Sequence, residues 1–225
     1  MSTCLDPAAR PLPVPALAAG AGLQAGLSYF GFRYPRAFWA LMTVGLSGCG
    51  IPGILRLRRR SQGTSPGWLG GGLLAGLLGY AVTRLGAAVA GHLAGGRRSL
   101  ARLNQCVAVV DRPLAALLVV PAAVGEEIFW RESVLGARLE GGSRPLNSLL
   151  GVTLAYAAVQ AASLEPLPPL GGLLLGAGTG WLRLRSGSIW PGVVAHVAYS
   201  ELCLVRPGLP SGEPPRLDGQ AQQTT

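Results

Sequence analysis

Lysine is absent from this 225-residue chain: all 19 basic residues are arginine, against 10 acidic ones, for a formal charge of +9. Charge of either sign is scarce as well. Only 13% of residues are Asp, Glu, Lys or Arg, about half of what a soluble domain carries, which excludes an ordinary water-soluble globule. Cysteine is limited to Cys4, Cys49, Cys106 and Cys203 with no CxxC spacing, so neither a zinc ribbon nor a disulfide framework is encoded. Leu46-Ser-Gly-Cys49 resembles a lipoprotein cleavage signal but lies deep in an apolar run, where it reads as coincidence. The proline-broken start does not read as a clean signal peptide, and no repeat of 20–50 residues is visible.

What is abundant is hydrocarbon and glycine. Half of the chain is apolar, 34 residues are glycine, and the mean hydropathy is +0.40. Gly/Ala-rich apolar runs suit helices whose backbones approach closely in lipid. The fold class expected is an all-α polytopic membrane bundle of about seven spans enclosing an intramembrane cavity. Arginines that set loop topology account for the basic charge, so no nucleic-acid surface is called for.

Seven apolar segments can be marked, at residues 14–32, 38–55, 68–93, 111–139, 146–163, 170–184 and 189–205. Arg56-Leu-Arg58-Arg59-Arg60 forms the densest basic loop, and Arg97, Arg98 and Arg102 fall in the connection after the third segment. Counting loop arginines leaves the orientation undecided. Asp111 has the character of a helix N-cap, with Pro113 in the first turn. The helix that follows is longer than the ~20 residues a bilayer needs, so a kink near Pro121 or Gly125, or a projection beyond the membrane, is expected. Residues 1–205 are read as one membrane domain and the polar, Pro/Gly/Gln-rich residues 206–225 as a disordered tail.

The fourth segment carries the anomaly. After a run without charge, Glu126, Glu127 and Arg131 arrive within six residues, followed by Glu132. A charge at the centre of a membrane helix costs about 2.5–3.5 kcal/mol on insertion scales, so such groups default to a functional reading. Glu127 and Arg131 stand at i and i+4 with the acid first, the favourable order for an ion pair. Their bland reading is mutual neutralisation at a helix end. Glu126 points about 100° away, by the 3.6-residue helical period, so one arginine does not readily serve both acids. A low-dielectric setting disfavours the ionised form of a lone carboxylate, which suits a general base or acid near neutral pH.

Four further positions stand out. His196 is one of only two histidines and lies mid-segment, with Ser200 one turn on along the same face; a packing histidine is the bland alternative. Tyr156 and Gln160 share a face of the fifth segment, where an interhelical hydrogen bond is the bland alternative.

Glu126-Glu127-Ile-Phe-Trp-Arg131 resembles the EExxxR motif of the CPBP family (CAAX proteases and bacteriocin-processing enzymes, or Abi) of intramembrane glutamic-type endopeptidases. Tyr156-Ala-Ala-Val-Gln160 stands where that family's FxxxH motif is expected. Arg185-Ser-Gly-Ser-Ile-Trp-Pro-Gly-Val-Val-Ala-His196 resembles its last motif, in which a tight turn and a Trp precede an HxxxN helix. The similarity covers about residues 112–200. It departs from the pattern twice, with Gln160 in place of the second-motif His and Ser200 in place of the last Asn.

The resemblance implies hydrolysis of a peptide bond in a membrane-anchored, lipidated or hydrophobic protein or peptide. Glu126 would activate water, Glu127 and Arg131 would support it, Gln160 would orient the water, and His196 with Ser200 would stabilise the oxyanion. Glutamine can orient a water but cannot take its proton. No cofactor is implied; a metal held by Glu126 and His196 is the less favoured alternative, because those ligands make a thin site. Partners would be the bilayer and that substrate, with no nucleic acid. The arginine-only basic charge fits a GC-rich genome and hence a multi-pass protein of a bacterial cytoplasmic membrane. Two other readings stay open. One is a catalytically impaired relative acting as a membrane binding or immunity protein. The other is a small transporter using the same charges.

Overall fold

A computed structural model describes residues 13–59 and 63–205; the expected tail at 206–225 lies outside the described residues. All regular structure among them is helical. Eight principal helices follow one another: α1 (Val14–Arg33), α2 (Leu46–Arg59), α3 (Pro66–Ala90), α4 (Ala94–Val107), α5 (Arg112–Glu127), α6 (Pro145–Ala161), α7 (Leu167–Ser186) and α8 (Trp190–Ser200). Each of the seven apolar segments overlaps one of these helices. The eighth, α4, occupies the stretch read as a connection. Its buried Gly96, Ser99, Leu100 and Cys106 recur on one face, a period that three arginines mask when average hydropathy alone is considered.

Among the described residues, three helical stretches are long and apolar enough to cross a membrane: Pro35–Ile54, Pro66–Ala90 and Arg112–Glu140. The other expected spans form helices without meeting that measure.

The central helix starts where the sequence predicts. Asp111 accepts a hydrogen bond from the Leu114 amide at 3.2 Å, capping α5. From Arg112 the chain stays helical for 29 residues. The irregularity expected at Pro121 or Gly125 lies further on, where Ile128–Leu135 winds as a π-helix. Such wider turns are rare and recur at functional sites. Here the π-turns begin directly after the paired glutamates and contain Arg131.

Gly125 has a packing role. A Cβ on it would come within 2.3 Å of the Leu46 carbonyl oxygen, and one on Gly50 within 2.9 Å of the Gly125 Cα. Thus α2 and α5 cross backbone to backbone one residue before Glu126, the close approach that small residues allow in lipid. A second glycine contact positions α8. Gly72 faces the Pro191 carbonyl, Gly76 the Ala195 carbonyl and Gly79 the Tyr199 ring, so α3 runs beside α8 in the same direction along a Gly-x-x-x-Gly face. The turn feeding α8 closes on Gly187, whose φ of 72° is left-handed. Ser188 Oγ then accepts from the Trp190 amide at 3.3 Å, at the start of α8.

Candidate active site

Five helical elements bring their few polar side chains to one buried cluster. Glu126 and Glu127, at the end of α5, are 6% and 1% exposed; Arg131 of the π-turn is 1% exposed and His196 of α8 is 5% exposed. The imidazole stands between the two carboxylates, with Nδ1 3.0 Å from Glu127 Oε1 and Nε2 3.5 Å from Glu126 Oε2. A carboxylate only accepts, so Nδ1–H is the donor to Glu127, and this bond sets the ring's orientation. The Tyr156 hydroxyl of α6 donates to Glu126 Oε2 at 3.1 Å.

Behind Glu127 stands Arg131, its Nε 3.4 Å from Glu127 Oε2. The guanidinium also lies 5.3 Å from the centre of the Tyr156 ring, within cation–π range. Its Nε–H donates to Thr179 Oγ1 of α7 at 2.7 Å. One residue along the π-turn, Glu132 pairs with Arg183, one turn beyond Thr179, at 3.2 Å. Two polar rungs therefore tie α7 to the π-turn. Such pairs, once out of water, need each other: removing one partner of a buried pair costs about 3–5 kcal/mol.

Of the six residues expected to form the site, Glu126, Glu127, Arg131 and His196 meet. Gln160 and Ser200 make no hydrogen bond to any of these four among the described residues. Gln160 accepts instead from Ser28 of α1 at 3.3 Å. The hydroxyl on Glu126 comes from Tyr156, one turn before Gln160, and Ser200 is a buried residue one turn beyond His196. Sequence reasoning passed over Thr179 and Gln24. Thr179 is the one hydroxyl in the apolar, glycine-rich part of α7, a signal open to reading. Gln24, whose Oε1 accepts from Trp130 Nε1 at 2.7 Å, is the lone amide of α1. The π-turn's Trp130 packs on the Tyr156 ring at 5.4 Å, so α1 braces the cluster from outside.

An apolar cavity of about 240 Å³ opens between α3, α7 and α8, lined by Ala75, Gly79, Leu174, Gly178, Thr179 and Ala195. Its inner wall therefore includes the threonine that holds Arg131. Among the described residues, no group of three or more His, Cys, Asp or Glu is arranged to hold a metal ion.

Residues 109–201 match the family model described as "Type II CAAX prenyl endopeptidase Rce1-like". No curated protein and no solved structure matches the chain. The matched stretch holds α5 through α8 and with them every residue of the Glu126–Glu127–His196–Arg131–Thr179–Tyr156 cluster.

Proposed function

We propose, on the match of residues 109–201 to the Rce1-like family model and on the long apolar helices, that the chain is an integral membrane endopeptidase of the CAAX type in which Glu126 activates the water that hydrolyses a peptide bond of a lipidated, membrane-anchored substrate. Glu126 takes a proton from water as the oxygen attacks the scissile carbonyl carbon, and later returns it to the leaving amine nitrogen. His196 carries Nδ1–H to Glu127; a proton bound at Nε2 before water attacks, and kept there through the cycle, is offered as a hydrogen bond to the oxyanion forming beside Glu126. Glu127 and Arg131 hold the imidazole, and Tyr156 holds the Glu126 carboxylate. Gln160 and Ser200 remain proposed contributors from the flanks of the cluster. The apolar cavity beside Thr179 supports a substrate with a hydrocarbon chain, and the setting proposed is a bacterial cytoplasmic membrane.

The observation that carries this reading is the placement of one histidine against both glutamates, 3.0 Å from Glu127 and 3.5 Å from Glu126. The test is cleavage of a farnesylated CAAX peptide by the protein reconstituted in bilayers. Wild type cleaves and Glu126→Gln loses about 10²-fold or more. Undiminished cleavage by Glu126→Gln removes this carboxylate from the reaction.

A catalytically impaired relative that binds such substrates is the second reading. It is favoured by Gln160, which cannot accept a water proton and whose carbonyl oxygen is already engaged by Ser28. Cleavage by Gln160→His but not by wild type selects it.

A further inference from the structure

We infer that Thr179 is a positioning residue: by taking the Nε–H of Arg131, it keeps that hydrogen from Glu127 and so preserves the Glu127–His196 hydrogen bond. This rests on the reading above for its kinetic consequence, but not for its geometry. Arg131 Nε carries a single hydrogen. Thr179 Oγ1 lies 2.7 Å from it and Glu127 Oε2 lies 3.4 Å away, so the threonine has the Nε–H bond and Arg131 meets the glutamate by charge alone. Among the described residues, Thr179 is the one hydrogen-bond acceptor the guanidinium has, since Nη1 and Nη2 are buried without partners.

Thr179 is itself aimed. Its hydroxyl hydrogen goes to the Leu175 carbonyl at 3.0 Å, which leaves the oxygen's lone pairs facing Arg131. The residue is 1% exposed. The first turn of α8 closes over it: a Cβ on Gly192 would sit 3.3 Å from Thr179 Cβ and 3.0 Å from Glu127 Oε2. Thr179, Glu127 and Gly192 thus form one junction of α7, α5 and α8, with His196 one turn beyond Gly192. Glu132 and Arg183 repeat the α7 tether at the next turn, so α7 keeps its place when the Thr179 oxygen is lost. Without that oxygen, Nε–H turns to Glu127 Oε2 and draws the carboxylate off His196 Nδ1.

The test compares Thr179→Val, which keeps the branched shape, with Thr179→Ser, which keeps the oxygen. Both are made in the full chain in bilayers, in a His92→Gln background. Because the chain has two histidines, ring-15N labelling then reports His196 alone. The expected result is a changed His196 ring spectrum in Thr179→Val, with kcat on the farnesylated peptide reduced about 10- to 100-fold, as a small misplacement of catalytic groups causes, and KM within about twofold. Thr179→Ser matches the parent in both. A parent-like ring spectrum in Thr179→Val overturns the inference, and so does a Thr179→Ser protein as altered as Thr179→Val, which would reduce the threonine to a packing methyl. Full activity in Glu126→Gln fails the proposed reaction instead, and the ring spectra still decide the role of Thr179.

Discussion

The Nδ1 of His196 lies 3.0 Å from Oε1 of Glu127, across 69 residues of chain. That contact orders the cluster, because the same ring turns its other nitrogen to Glu126. His196→Ala removes both contacts at once. Its expected effect is loss of about 10²–10³-fold in kcat, the cost of one oxyanion donor, with little change in KM. Steady-state cleavage of the farnesylated peptide measures it.

Arg131 is the counter-charge for a glutamate that is 1% exposed. Arg131→Met leaves Glu127 buried beside a neutral side chain, and the fold is expected to lose about 3–5 kcal/mol. Glu127→Gln combined with Arg131→Met removes both charges and is expected to regain much of that stability without regaining activity. Thermal unfolding in detergent, paired with the cleavage assay, separates the two effects.

Tyr156→Phe deletes only the hydroxyl that donates to Glu126 while keeping the ring that faces Arg131 and Trp130. A hydrogen bond to a charged group is worth about 1.5–3 kcal/mol. The expected outcome is a fold less stable by about that amount and a kcat lower by roughly tenfold or more, read from matched melting and cleavage curves.

Two glycines separate packing from binding. Gly125→Ala drives a methyl into the Leu46 carbonyl and is expected to cost about 1–3 kcal/mol or more by overpacking, seen as a lower melting temperature. Gly178 borders the apolar cavity, and a Cβ there meets nothing within 4 Å. Gly178→Phe should therefore fold normally but occupy the cavity, raising KM for the farnesylated peptide several-fold. An unchanged KM takes the hydrocarbon chain out of this cavity.

Much of this protein was readable in one dimension. Scarce charge and seven apolar segments specify a helical membrane bundle, because lipid leaves the backbone no other way to satisfy its hydrogen bonds within a segment. Glu126, Glu127, Arg131 and His196 announce themselves as ionisable groups in hydrocarbon, and the i, i+4 spacing pairs Glu127 with Arg131 before any fold is known. The amphipathic α4 escaped because an arginine-rich helix lying along a bundle looks like a loop to any measure of average hydropathy.

Tertiary structure decided what the acids touch. Tyr156, rather than Gln160, reaches Glu126, since the registry of α6 against the π-turn is set by ring packing between helices and not by local periodicity. Thr179 holds Arg131 because α7 is tied to the π-turn by a second ion pair 51 residues apart in sequence. Gln160 turns to Ser28 because α1, far away in the chain, packs on α6. Sequence alone named the charged residues, since the cost of a charge in lipid is local. Their partners depend on helix crossings at glycines such as Gly125 and Gly76, where contact forms between backbones that no short stretch of sequence contains.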